Sequence, residues 1–264
     1  MVKRALPWMV LLALIFFFLV PAGAAQTRRP SEGSSLWPGF TIEYFSRTLS
    51  WQDLEEDATS KMKAILATLA LGYEIQEGFS LTLLAGYASS NFDGLVFRRL
   101  PFSIDYEAGG ISGLVFGGEI DKAVMTGETY GLDIYGQFLG YFGLAKRPDW
   151  PADFVVDGTL EGKPNWMRVS VGPVLSYGRG KVFSPYLYPN FNYLWGTFEL
   201  AETVEDLEGK EKKEIKAKSL FGLALGADFK LTSRLRLRYE AGIYPHKGKG
   251  GADYTFTVKT LFAL

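Results

Sequence analysis

The stretch DYTFTVKTLFAL, residues 253–264, alternates without a slip. Tyr254, Phe256, Val258, Thr260, Phe262 and Leu264 fall on one face of an extended chain, and Asp253, Thr255, Thr257 and Lys259 begin the other. Chain ends fray unless something ties them down, so this regularity predicts a strand held in a sheet.

Working back from that strand, the same period of two recurs nine more times. Residues 61–75 set Ile65, Ala67, Leu69, Leu71, Tyr73 and Ile75 against Ala64, Thr68, Ala70, Gly72 and Glu74. Residues 79–90 set Phe79, Leu81, Leu83, Ala85 and Tyr87 against Ser80, Thr82, Gly86, Ala88 and Ser90. The pattern returns over 165–177, 219–231 and 235–244, and less cleanly near 39–50, 110–120, 129–144 and 183–198, the first of these being the weakest. One stripe is greasy and its partner small or polar. A soluble barrel facing water would carry Lys, Glu and Asp on its polar stripe, whereas Ala, Gly, Ser and Thr suit a confined lumen.

The connections alternate in length. Short ones fall at QEG, DKAVMTGE, GRGK and TSR; the longer or more polar ones are QDLEEDATS, NFDGLVFRRLPFSIDYEAG, AKRPDWPADFVVDGTLEGKP, LAETVEDLEGKEKKEIK and PHKGKGG. That is the rhythm of an up-and-down meander. Segments of a dozen residues exceed the about 9–11 that a tilted membrane strand needs, and a bilayer allows no unpaired edge, so the sheet must close. The expected fold is all-β: a closed antiparallel up-and-down transmembrane barrel of ten strands, with eight or twelve as alternatives, its last strand sealing against its first.

Residues 1–25 begin with Lys3 and Arg4, continue as an apolar run and end in Ala22, Gly23, Ala24 and Ala25, the pattern of a secretory signal peptide. Its removal takes the 28 basic residues to 26 against 29 acidic ones, a net charge of −3 in which nothing suggests nucleic acid, and no nucleic-acid partner is expected. A short segment, 26–38, then precedes a barrel over 39–264. The chain has no cysteine, so backbone pairing and packing must hold it.

A leader, hairpins with alternating short and long connections, and a last strand bearing Tyr254, Phe256, Val258 and Phe262 together resemble the small outer-membrane β-barrels of Gram-negative bacteria, over essentially the whole mature chain. The resemblance implies a location in the bacterial outer membrane after export, contact with lipid and lipopolysaccharide, and a monomer. It implies also that Tyr254, Phe256, Val258, Phe262 and Leu264 are read by the barrel-insertion machinery, although family members usually end on an aromatic residue and this chain ends on Leu264. Tyr73, Tyr87, Trp166, Tyr177, Trp195, Tyr239 and Tyr254 are expected in interfacial girdles.

Turning the polar stripes inward gathers Glu119, Asp133, Arg168, Asp228, Arg236, Arg238, Glu240 and Lys259 in the lumen, four acids and four bases that can pair into a plug. Gly222 and Gly226 are expected to make room inside the barrel or to accommodate a neighbouring aromatic ring. His246, the only histidine, is expected in an exposed, mobile link, and Tyr244 stands where an omptin-type protease would carry Asp. Lipid-A deacylases and outer-membrane phospholipases need a serine beside their histidine, and none follows His246. HKGKGG lacks the Ser or Thr of a phosphate-binding loop. Lys210, Lys212, Lys213, Lys216 and Lys218 read as a solvated loop rather than a lipopolysaccharide site. These features favour a non-enzymatic barrel presenting surface loops, with no cofactor or metal; a narrow channel or carrier is the alternative, and a loop-based hydrolase a third reading.

Overall fold

The computed structural model describes residues 36–51, 59–98, 100, 104–106, 109–127, 129–147, 158–178, 182–232, 234–246 and 251–262. The expected leader, most of the segment before residue 39, and Leu264 lie outside them.

Among the described residues thirteen strands run in order: β1 (Leu36–Trp51), β2 (Thr59–Gln76), β3 (Phe79–Asp93), β4 (Leu95–Phe97), β5 (Ile104–Tyr106), β6 (Ile111–Thr126), β7 (Tyr130–Gly143), β8 (Gly158–Tyr177), β9 (Phe183–Val204), β10 (Leu207–Ala217), β11 (Phe221–Lys230), β12 (Leu235–Pro245) and β13 (Ala252–Phe262). Antiparallel pairing closes a ring of ten, β1–β2–β3–β6–β7–β8–β9–β11–β12–β13, with β4 and β5 forming a separate small hairpin. The ring is sealed by β13 on β1, from Gly39 opposite Leu261 to Ser46 opposite Tyr254. The periodicity of residues 253–262 is therefore the periodicity of the closing seam. Leu36 and Phe262 mark the end we call lower, which also holds the tight turn at 77–78.

Strands β10 and β11 are a single downstroke broken at residues 218–220. Both pair with β9 on one side. On the other side β11 pairs with β12, but β10 pairs with β1, from Leu49 opposite Ala217 to Trp51 opposite Ile215. The β12–β13 hairpin ends part-way up the wall, and above it the circuit is eight strands instead of ten. Strand β1 thus changes partner at Arg47–Thr48, a fork in the wall.

Outside, the apolar stripe faces outward as its period requires: Ile65, Leu69, Leu83, Phe116, Leu175, Leu223, Leu225 and Phe256 are all exposed. The band stops on a common rung. On β8 and β9 the paired outward residues Met167 and Trp195 are succeeded one step higher by Asn165 and Thr197, which also pair, and then by Lys163 and Glu199. Strands of 20 and 22 residues are about twice the length a bilayer needs, so β8–β9–β10 rises beyond the apolar band. Two segments expected as loops are therefore wall. Residues 158–164 extend β8, and the lysine-rich stretch folds back through a two-residue turn at Glu205–Asp206 as β10. Its residues alternate too: Glu211, Lys213, Ile215 and Ala217 are buried inward, while Lys210, Lys212 and Lys218 are exposed. Lys213 is buried beside Glu211 (3.4 Å), its ammonium over the rings of Trp51 and Phe97.

Candidate functional site: the barrel interior and the fork in its wall

The lower, ten-stranded tier is polar inside. Arg168 from β8 forms a two-pronged ion pair with Glu43 from β1, its Nη1 meeting Oε1 and its Nη2 lying 2.8 Å from Oε2. The same Nη2 donates to Gln137 Oε1 at 2.8 Å, and Gln137 Nε2 donates to Glu119 at 3.1 Å. Glu119 also takes the ammonium of Lys259. Five strands, β1, β6, β7, β8 and β13, are thereby tied across the lumen in one chain of charge-assisted bonds. Nearer the lower mouth Arg238 grips Asp228 through two bonds of 2.7 and 2.9 Å, and Tyr186 donates to Glu240 at 2.8 Å.

Of the eight residues expected inside, Glu119, Arg168, Asp228, Arg238, Glu240 and Lys259 are thus brought together. Asp133 is buried on β7. Arg236 is the exception: it is exposed at the lower rim, where β12 begins, although its charge still acts on Asp228. Pattern reading missed Glu43 and Gln137, although Glu43 lies in phase with Thr41 and Phe45 on the inward face of β1. Between these groups remains a polar cavity of about 50 Å³, lined by Thr41, Glu43, Tyr188, Arg238, Glu240 and Thr257 among others; that is room for a few waters.

Two inward glycines on β11 serve the rings beside them, as expected. A Cβ on Gly222 would overlap the ring of Tyr244, and one on Gly226 the ring of Tyr186. Tyr244 cannot retreat, because the Arg47 guanidinium lies 3.8 Å from its centroid on the other side. Gly222→Val is expected to cost about 1–3 kcal/mol by overpacking, read as a lower urea midpoint in refolding titrations.

The upper tier is filled differently. Trp166 stacks on Tyr141 (5.1 Å, 14°) and meets Phe45 edge-on. Its indole N–H reaches Ser90 at 3.1 Å, and Tyr141 donates to the Ile111 carbonyl at 2.7 Å, so both polar tips are satisfied. Phe92, Phe97 and Phe198 pack above them, and Leu49, Met62, Leu95, Leu194 and Leu200 complete a continuous apolar core. The β4–β5 hairpin contributes Leu95 and Phe97 to it. Trp166 is therefore no girdle residue. Tyr73, Tyr87, Tyr177, Tyr239 and Tyr254 do lie exposed on the outer face.

Between the tiers sits the fork. Where β1 has left β13 and not yet met β10, the carboxylate of Asp253 takes the place of a strand: its Oδ1 accepts from the Thr48 N–H at 2.9 Å and from the Thr48 hydroxyl at 2.8 Å. Its Oδ2 accepts from Ser219 at 3.2 Å, and the Lys218 N–H donates to the Thr48 carbonyl at 2.9 Å. Arg47 donates to Ser219 at 3.1 Å and to Asn192, bracing the fork from inside. His246 contradicts the expectation of an exposed link. Its side chain is 5 % exposed, with Nε2 3.1 Å from Thr48 Oγ1 and 3.6 Å from Asp253. A hydrolytic relay would have carboxylate and hydroxyl on opposite ring nitrogens; here both lie at Nε2, while Nδ1 has no partner among the described residues. The arrangement splices three strands.

Tyr254, Phe256 and Phe262 of the expected insertion signal face outward, and Val258 is in phase with them.

No protein-family model matches the chain, and no characterised protein matches it in sequence. Solved structures similar to it include the translocator domain of the autotransporter NalP from Neisseria meningitidis (12 % identity over 97 % of this chain and 96 % of that one, TM-score 0.47). The outer membrane protease OmpT from Escherichia coli is another (12 %, 91 % and 99 %, TM-score 0.48). A third is Ail, the attachment invasion locus protein of Yersinia pestis (10 %, 88 % and 99 %, TM-score 0.32). At these scores none of the likenesses bears on function.

Proposed function

We propose that the chain is a non-enzymatic outer-membrane barrel that acts through the surface of its upper tier and passes no solute through its lumen. The observation that carries this reading is the filled interior. The ionic chain from Glu43 through Arg168 and Gln137 to Glu119 and Lys259 crosses the lower tier. Above it Tyr141, Trp166, Phe92 and Phe198 cross the upper one. A membrane location is supported by the outer face, since a belt of exposed Leu, Ile, Phe and Tyr suits a lipid solvent. Export by the leader at 1–25, assembly through the aromatic phase of β13 and a monomeric state belong to the same proposal.

In planar-bilayer recordings the wild-type protein is expected to show no steady conductance. Arg236→Ala/Arg238→Ala is expected to stay silent as well, because the aromatic layer lies above both residues; charge alone would have predicted an opening. Steady current through the wild type would overturn the proposal in favour of a channel. The cavity beneath the aromatic layer favours a second reading, a carrier that takes a small polar solute from the lower mouth, and saturable retention of such a solute by the refolded barrel would support it.

A further inference from the structure

Three ion pairs surround the cavity of the lower tier, and one acid stands outside them. Glu43 is held by Arg168, Glu119 by Lys259 and Asp228 by Arg238. Glu240, on the cavity wall, has no base within ion-pair distance among the described residues; its bond is the one donated by the Tyr186 hydroxyl at 2.8 Å. Arg238 cannot serve it as a full partner, because its Nε and Nη2 are both spent on Asp228. Four acids therefore face three bases around this space, and a confined charge without a counter-charge is expensive.

A second observation points into the same space. Thr41, 7 % exposed on the cavity wall, has a hydroxyl with no hydrogen-bond partner among the described residues, and the Nε of Arg168 on that wall has none either. Thr257 of β13 stands between Glu240 of β12 and Glu43 of β1, and Thr41 lies one rung lower, opposite Lys259. Three adjacent strands thus offer one uncompensated carboxylate and two hydroxyls to a space of about 50 Å³. No group of three acidic or histidine side chains among the described residues could hold a metal ion, so the charge to be met is single. We propose that the cavity binds one small monovalent cation, sodium or potassium, with part of its hydration shell. Glu240 neutralises it, Thr41 and Thr257 share its coordination with the waters, and those waters accept from the Arg168 Nε. A proton on Glu240 is the rival occupant; it would remove the charge and leave Thr41 as it is. The cation is held and not passed on, so bilayer recordings of the lumen do not bear on it.

The test compares urea refolding titrations in sodium chloride and in choline chloride at equal concentration, choline being too large for the cavity. The folding equilibrium constant of the wild type is expected to be about tenfold larger in sodium, as for a ligand at about ten times its dissociation constant. Glu240→Gln is expected to abolish the difference, and Thr41→Val to reduce it to about threefold. Glu208→Gln, which removes an exposed acid beside the Glu205–Asp206 turn, is expected to keep it. The wild type should also broaden the sodium NMR line, with potassium reversing the effect, and Glu240→Gln should not. Heat-modifiable gel mobility verifies that each variant is folded. Equal constants in the two salts for the wild type overturn the proposal without reference to any variant. A sodium effect that survives Glu240→Gln overturns it too, since the cation would then lie elsewhere. Stability that follows pH and ignores the cation would place a proton on Glu240, and the proposal would fall.

Discussion

Replacing Arg168 by Met is expected to lower the unfolding free energy by about 3–5 kcal/mol. The guanidinium is buried with Glu43, and it also holds Gln137, which in turn holds Glu119. Truncating it strands a carboxylate in the lumen and frees the amide that spaces the two acids. The loss exceeds the worth of the pair itself, because two desolvated charges repay each other while one alone repays nothing. Arg168→Met combined with Glu43→Met is therefore expected to recover most of the loss. Urea refolding titrations of both single variants and the double give the cycle; additive losses would show that the two side chains do not act as a unit.

Leu225→Arg is expected to cost about 2–4 kcal/mol. Leu225 is 63 % exposed in the middle of the outward apolar stripe of β11, where an exposed charge means a charge in hydrocarbon. The inward Ser170 would be a natural comparison by pattern alone, but its hydroxyl is 3.0 Å from Tyr188 on the cavity wall beside Arg168, and an added cation there would be crowded. Thr197 is the better host. It points outward one rung above Trp195, past the end of the apolar band, and Thr197→Arg is expected to change stability by no more than about 0.5 kcal/mol. Equal losses at Leu225 and Thr197 would place the edge of the lipid band elsewhere.

The ring was legible in the sequence because lipid and lumen impose opposite chemistry on successive residues, and ten segments carry that alternation. Register was legible on β11 for the same reason: Leu223 and Leu225 lie outside and Ala224 inside. What escaped is the part of the wall that leaves the bilayer. Around 199–217 the outward residues become Glu and Lys, so the two stripes differ less from a solvated loop, and only the buried phase of Leu200, Val204, Ile215 and Ala217 betrays a strand. The ionic chain was half legible. Arg168 and Lys259, on strongly alternating strands, and Glu119, on a less regular one, were visible as charges in the inward phase; Gln137 carries no charge to mark it, and Glu43 lies on β1, where Tyr44, Phe45 and the hydroxyl residues beyond them blur the period. The fork was invisible because Arg47, Asn192, Ser219, His246 and Asp253 come from five separate stretches, and nothing local pairs them.

The partner change of β1 also sets the shape of the space the wall encloses. The width of a closed sheet grows with the number of strands around it, so a circuit of ten below and eight above is a funnel whose stem points away from the end where Leu36 and Phe262 lie. In the stem, rings from opposite walls meet and leave no gap; in the bowl polar and charged side chains span the width instead and leave a small cavity between them. Whatever approaches from the wide end meets first Arg238 and the ionic chain and only then the floor of Trp166 and Tyr141, which makes the barrel a shallow polar cup on one side of the membrane and a solid post on the other.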